Sequence, residues 1–364
     1  MRGWWWLWSR CPGIGAARMG MLEAMALEHG VGLDELWTWP VDRLQQALAW
    51  PESLLKQVDR FRRCRGVAPD LSVPGNAILP GDQGWPVFLS ALQRPPLALF
   101  HRGRPEPLAL IAQQRCVAVV GTRSASPHGL RAAAELSRAL VLAGWPVLSG
   151  LAEGIDAAAH RACLDAGGCP IAVLGTSLDR VYPSHHNRLQ ASIGERGLLL
   201  SEQPQAAPVR RGHFAARNRL LVALSSAVVV VECPERSGAL ITARCAAEQQ
   251  CPVWAVPGDA GRWSARGSNA LLLDKAAPLL SPQQLIDHLG AGPLPAPSAV
   301  MSDRPAVSRS DQMLLEAMGH GASLEELSRV LNRPAASLAK NLLALELEGR
   351  VLCESGLRWR PIPG

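Results

Sequence analysis

The chain has 364 residues, is 48% hydrophobic and carries a formal net charge of +6. That length predicts about two or three domains at ~100–200 residues each, the hydrophobic share suits ordinary globular cores, and the modest positive balance favours an anionic partner. No stretch reaches the ~20 apolar residues that span a bilayer, and the opening run with Trp4, Trp5, Trp6 and Trp8 is too short for the core of a signal peptide. The nine cysteines include no C-x-x-C pair, and an odd number in a long chain is not a disulfide framework, so a reducing, cytoplasmic setting is expected.

Residues 1–70 read as a small helical module, with apolar residues at helical spacing through 18–28 and 41–61. Pro12-Gly13-Ile14-Gly15 is a tight turn between helices. In helix-hairpin-helix modules such glycines let backbone N–H groups approach a DNA phosphate; a plain interhelical connection is the simpler reading. The early tryptophans are expected to pack this core rather than stack on bases. Residues 71–106 are rich in proline and glycine, with a strand at Leu97–His101. From 108 to 290 strand and helix signals alternate: strands at 116–120, 145–148, 170–174, 198–201, 228–231 and 253–256, helices at 129–143, 155–166, 185–195, 215–224 and 238–249. This alternation predicts a doubly wound parallel sheet with helices on both faces and a ligand site beyond the C-terminal ends of the strands. A Pro/Ser/Ala-rich linker is expected over 291–309. Residues 310–364 read as a winged helix, with helices at 310–318, 323–331 and 335–348 and strands at 350–354 and 357–360 joined by a turn at Ser355-Gly356. Its third helix, with Lys340 as sole cation, would read DNA or bind protein.

Two successive strand–turn–helix units, Cys116 to Gly129 and Ser149 to His160, suit phosphate, because a helix N-terminus offers unpaired N–H groups and partial positive charge. The first places Gly121, Arg123 and Ser124 in the turn; the second places Ser149, Gly150 and Gly154 beside it. Neither is a G-x-G-x-x-G or a Walker loop, so no nucleotide cofactor is expected. Asp156 and His160, four residues apart on a helix, could ligate a metal or exchange protons; a capping carboxylate with a hydrogen-bonded core histidine is the simpler expectation. His185 and His186 lack a second ligand cluster, so no metal is assigned. Between Val209 and Arg219 lie four arginines and a histidine with no acid. Arg217, Asn218 and Arg219 are expected at a helix start beside a strand end, and several spaced cations suit a polyanion, or form a solvated basic loop. Ser237 and Gly238 open a further helix, with no carboxylate between Gly238 and Glu248.

These pieces together resemble the DprA/Smf family of DNA-processing proteins. The matching segments begin at Val119-Val120-Gly121-Thr122-Arg123-Ser124 and at Ser149, and continue through Ala172-Val173-Leu174-Gly175, Tyr182 to Asn187, Leu199 to Glu202, Phe214 to Arg219, Ser237 to Ala243 and Val256-Pro257-Gly258. The resemblance implies an extended Rossmann-like domain over 71–290, between an N-terminal helical module (SAM- or helix-hairpin-helix-like) and a C-terminal winged helix. It implies binding of single-stranded DNA, homodimerisation and loading of the RecA recombinase onto incoming DNA in natural transformation, without catalysis. Asn187, Arg188 and Lys275 then join Gly121, Arg123, Ser124, Ser149, Gly150, Arg217, Asn218, Arg219, Ser237 and Gly238 as expected nucleic-acid contacts. Ala215 stands where the family usually has proline, a change expected to loosen entry to the arginine helix. Lys275 stands where it has glycine, which puts the turn there in question. The alternative is an enzyme related to Rossmann-like nucleotide N-glycosidases, for which the missing carboxylate after Gly238 is the contrary sign.

Overall fold

The computed structural model describes residues 1–66, 68–297, 308–319, 321–347, 350–354 and 358–361. Five helices come first: α1 (Arg2–Ser9), α2 (Ala16–Glu28), α3 (Leu33–Thr38), α4 (Val41–Leu48) and α5 (Glu52–Arg65). The helical pattern through 41–61 breaks before Pro51, since proline cannot donate to a helix and drives its predecessor out of the helical region. Ala49, left-handed at φ 48°, closes α4. Trp8, Trp37, Trp39 and Trp50 are buried in the module's core with Leu22, Leu36 and Leu44. Trp5 and Trp6 join the module to the sheet domain: the Trp5 indole donates to the Leu97 carbonyl at 2.9 Å, and Trp6 meets Phe100 edge-on at 6.0 Å.

The chain then runs through β1 (Ala77–Ile78), α6 (Val87–Ser90), β2 (Leu99–Gly103), α7 (Glu106–Ala112), β3 (Val117–Val120), α8 (Pro127–Leu142), β4 (Val147–Ser149), α9 (Ile155–Asp165) and β5 (Pro170–Leu174). It continues with α10 (Asn187–Arg196), β6 (Leu198–Ser201), α11 (Arg211–Ala223), β7 (Ala227–Val230), α12 (Gly238–Glu248), β8 (Val253–Ala255), α13 (Arg266–Leu273), β9 (Ala277–Pro278) and α14 (Pro282–Leu289). The strands form one nine-stranded sheet in the order β1-β2-β6-β5-β4-β3-β7-β8-β9, with β2 antiparallel to both β1 and β6 and every other pair parallel. The doubly wound expectation therefore holds.

Alternate residues of the central strands bury opposite faces. Ala118, Val120, Val228 and Val230 pack with Leu220 and Leu224 of the α11 segment and Ala243 of α12. Val117, Val119, Val147 and Val229 pack with Leu136 and Leu140 of α8, Ile155 of α9 and Leu285 of α14. Burial on both faces is why these strands read as continuous apolar runs, each valine or leucine contributing about 1.5–3 kcal/mol. From β3 the chain winds outward to β6, then returns to lay β7 on the other side of β3. The helices diverge at that reversal and leave a crevice beyond the strand ends.

The first unit continues past residue 290. The Trp145 indole donates to the Gly290 carbonyl at 2.9 Å, Gly292 N–H to Ala143 at 2.9 Å and Leu294 N–H to Gly144 at 3.0 Å. The expected linker is thus packed at its start, because Gly144 and Gly292 let two backbones touch without side chains. Contacts divide the chain into Met1–Ser298 and Ala299–Gly364, and the linker residues 298–307 lie outside the described residues.

The second unit contains α15 (Arg309–Met318), β10 (Ala322–Ser323), α16 (Leu324–Leu331), α17 (Ala335–Leu347), β11 (Val351–Glu354) and β12 (Arg358–Pro361). Its strands pair antiparallel in the order β10-β12-β11. Ser323 and Glu326 cap α16 reciprocally. Leu314, Leu327, Leu338, Leu342 and Val351 form the core. This is a winged helix; the expected turn at Ser355-Gly356 lies outside the described residues. Among the described residues no helix is long and apolar enough to cross a membrane.

Candidate nucleic-acid interface

A cleft of about 480 Å³ opens at the reversal, between the ends of β3 and β7. Four arginines line it, Arg123, Arg211, Arg217 and Arg236, against one carboxylate, Asp156. Gly121 is the hinge below it. A Cβ there would lie 2.5 Å from Ile155 and 2.8 Å from the Glu232 carbonyl, so only glycine lets the turn settle against α9 and β7. Thr122 N–H donates to that same carbonyl at 2.7 Å, which leaves Arg123 and Ser124 exposed in the opening.

The N-terminus of α8, expected to hold phosphate, is already filled. The carboxylate of buried Glu232 accepts from Ser126 N–H at 2.9 Å, Ser126 Oγ at 3.1 Å and Ser264 Oγ at 2.5 Å. It lies against Gly129, where a Cβ would come within 2.1 Å of it. The chain's own anion neutralises that helix end. The N-terminus of α12 differs. Ser237 Oγ accepts from Ala239 N–H at 3.2 Å, the first turn carries no acid, and Ser237, Gly238 and Arg236 face the cleft.

The arginine run lies inside α11, which begins at Arg211, so Arg217, Asn218 and Arg219 occupy its middle rather than its start. Alanine at 215 permits this. A proline there would remove a backbone donor and clash with the preceding turn, whereas Ala215 lets the helix begin upstream and carry Arg211 to the cleft. Arg217 is 5% exposed. Its guanidinium donates to the Val173 carbonyl, faces the Asp156 charge and passes over Gly150, where a Cβ would lie 2.3 Å from its nitrogens. Burial pulls Arg217 down to about 10 while Asp156 raises it. It therefore remains charged at neutral pH. Asn218 donates to the Gly238 carbonyl at 3.2 Å and ties α11 to the start of α12. Arg219 is turned away, paired with Glu202 at 2.6 Å and bonded to the Arg94 carbonyl at 2.9 Å.

Asp156 and His160 do not form a metal or acid–base pair. Asp156 accepts from Gly150 N–H at 3.1 Å and Ala152 N–H at 3.3 Å, and burial raises its carboxyl, opposed by Arg217. His160 is fully buried and neither ring nitrogen has a hydrogen-bond partner, contrary to the expected hydrogen-bonded histidine. Burial first, then the Arg217 and His186 charges, push it down to about 3. His186 holds the Leu151 carbonyl at 3.1 Å and His185 meets Glu153 at 3.2 Å. No metal-competent cluster occurs among the described residues.

Of the residues expected from sequence, the cleft gathers Gly121, Arg123, Ser124, Arg217, Asn218, Ser237 and Gly238. Gly150 lies under Arg217 in a small adjoining pocket with Tyr182 and Phe214. Ser149 is buried and donates to the Val119 carbonyl at 2.6 Å, so its hydroxyl is spent. Asn187 and Arg188 are exposed at the start of α10 and line neither pocket. Lys275 also lies outside the cleft, exposed and left-handed at φ 74°, so lysine keeps the glycine-type turn. The sequence reading missed Arg211, Arg236 and the aromatic residues. Phe214 and Trp263 line the cleft, Tyr182 lies 4.8 Å from Phe214, and the Arg123 guanidinium lies 6.0 Å from the Phe214 ring. Arg211 sat within the basic run already singled out and Arg236 directly before Ser237; Trp263 gave no signal, since only folding brings its loop to the cleft.

The fold and site thus define an α/β protein with an arginine-lined crevice at the switch point of a doubly wound sheet and an appended winged helix. The family model for DNA recombination-mediator protein A matches residues 76–290, and that for the DprA winged helix domain matches 297–356. The chain belongs to the DNA recombination-mediator protein A family. It is 35% identical over 297 residues to Protein Smf of Synechocystis, covering 80% of this chain and 74% of the relative. It is 33% identical over 214 residues to DNA processing protein DprA of Bacillus subtilis, covering 59% of this chain and 71% of the relative. The solved structure of DNA processing protein A from Streptococcus pneumoniae superposes with a TM-score of 0.61 at 29% identity, over 75% of this chain and 98% of that one. DNA processing protein A from Helicobacter pylori, solved for its single-stranded DNA binding mode, gives 0.53 at 29% identity over 58% of this chain and 95% of that one.

Proposed function

We propose that this protein binds single-stranded DNA by its phosphates across the switch-point cleft and hands it to the RecA recombinase, protecting incoming DNA in natural transformation. The observation that carries the reading is the cleft's balance of four arginines against one carboxylate. The Helicobacter pylori relative, described for its single-stranded DNA binding mode, supports it. Phosphate contacts position a strand without reading its sequence, so little sequence preference is expected. A cytoplasmic homodimer is the expected working form. Leu273 and Leu280, 93% and 72% exposed beside the edge strand β9, offer apolar surface for a second copy.

The chemistry supports binding rather than turnover. Asp156, the cleft's one carboxylate, is committed to Gly150, Ala152 and Arg217. Along α12 the nearest acid is Glu248 at its far end, about 15 Å from Gly238 at the helical rise. An N-glycosidase built on a Gly-rich helix start needs its carboxylate close by. Fluorescence anisotropy with oligo-dT and duplex DNA over a salt series tests the reading. Preference for the single strand is expected, with a logarithmic salt slope of about −0.7 per neutralised phosphate. Equal duplex affinity at every salt concentration would overturn it, and release of base or phosphate from nucleotides would restore the enzyme alternative.

A further inference from the structure

Trp263 lines the cleft yet is 64% exposed, on a loop that the fold fixes firmly. On one side Arg262 donates to Asp259 at 2.5 Å and to Ser126 Oγ at 3.3 Å. On the other, Ser264 Oγ donates to buried Glu232 at 2.5 Å, and Ala265 is buried with its N–H on the Arg262 carbonyl at 3.1 Å. Asn269 closes the loop by bonding both the N–H and the carbonyl of Gly258 at 3.0 Å. The backbone around Trp263 is held by these bonds, anchored on buried Glu232 and Ala265, while the indole is left in water. An exposed indole forgoes most of the burial that makes tryptophan valuable in a core. This one stands at the rim of a crevice with four arginines.

We propose that Trp263 is a stacking platform for one base of the single strand, a contact distinct from the phosphate clamp. It rests on the single-stranded DNA reading of the cleft. Arginines that hold successive phosphates leave the bases of a single strand free to turn outward. A flat apolar face at the rim then receives one of them, and any base will serve because every base has a π-face. The rigid loop means that little conformational freedom is lost when the stack forms.

The test compares the intact protein and the variants Trp263→Ala, Trp263→Phe and Arg123→Ala on two ligands of equal length and charge, oligo-dT and an abasic oligodeoxynucleotide. Trp263→Ala is expected to bind oligo-dT about 5- to 150-fold more weakly, the range of one lost base stack, and the abasic strand as well as the intact protein does. Trp263→Phe should recover most of the loss. Arg123→Ala should weaken both ligands. Circular dichroism and sedimentation of each variant check fold and assembly. Unchanged oligo-dT affinity in Trp263→Ala overturns the stacking role, as does equal loss on both ligands. Loss accompanied by dissociation into monomers also overturns it and makes Trp263 a contact between copies. Should the intact protein bind neither strand, the reading of the cleft itself fails, and the stacking role with it.

Discussion

Two helices begin beside the same crevice, and their ends are treated oppositely. At α8 the N–H and hydroxyl of the capping Ser126 meet the Glu232 carboxylate from within the chain, while the Gly129 N–H donates to the Ser126 hydroxyl. At α12 there is a serine cap, no acid in the first turn, and Arg236 and Gly238 facing open space. Each end carries roughly half a positive charge. In one that charge meets a carboxylate of the chain itself; in the other no first-turn acid opposes it. A strand–turn–helix signature in sequence therefore identifies an anion site without saying whose anion fills it.

The largest effect expected is at Arg217, where the open side of the crevice reaches into the core. Arg217→Ala removes the positive charge that faces buried Asp156, and leaving a buried charge uncompensated costs about 3–5 kcal/mol. Urea denaturation measures this; a loss below about 1 kcal/mol would mean that Arg217 serves binding alone. The filled end of α8 is tested next. Glu232→Ala leaves the half-buried donors of Ser126 and Ser264 without their acceptor, at a cost of about 1–3 kcal/mol. If the carboxylate stands in for an external anion, sulfate should raise the melting temperature of this variant more than that of the unmodified protein, with chloride of equal ionic strength as control. No differential sulfate effect would break the contrast between the two ends.

Arg123 is exposed, so Arg123→Ala should leave the melting temperature unchanged while weakening oligo-dT and mixed-sequence single strands alike, by about 1.5–3 kcal/mol. Normal binding by this variant would remove it from the clamp.

Buried His160 supplies a pH signature. Its folded pKa, about 3, lies below the ordinary 6.5. As pH falls below 6.5 the unfolded chain takes up a proton that the folded one refuses, so stability declines with falling pH, by about 1.4 kcal/mol per unit. Asp156, with its raised carboxyl, acts with opposite sign. The quantity to measure is therefore the difference between the unmodified protein and His160→Leu. Between pH 6.5 and 5 the unmodified protein should lose about 2 kcal/mol more than the variant; parallel curves would show His160 protonated or hydrogen-bonded.

The smallest change is expected on removing the winged helix. A chain ending at 297 keeps the Gly292 and Leu294 bonds to the α8–β4 turn and should retain oligo-dT affinity within about threefold, under ~0.7 kcal/mol. A hundredfold loss would move the main site to the second unit.

The alternation of apolar runs and helices made the sheet legible, because a strand buried on both faces has no other way to read. The runs at 117–120 and 227–230 lie within a residue of their expected places. β1 and β9, two residues each, were illegible because their pairing is decided by partners far along the chain. At the crevice, residue types were readable but directions were not. Arg217 and Arg219 are two residues apart in one basic run, yet one faces Asp156 and the other Glu202. Glu232 read as the residue after a strand; nothing local says that its carboxylate reaches back to α8.

Gly150 shows how far such placement extends. It contributes no charge and no side-chain hydrogen bond, yet the space left by its missing methyl group is what the Arg217 guanidinium occupies. In a saturation mutagenesis screen scored on DNA binding, Gly150 should therefore rank with the arginines, and every replacement, alanine included, should score as a loss. A survey of that kind would count it among the ligand contacts, whereas what it supplies is room.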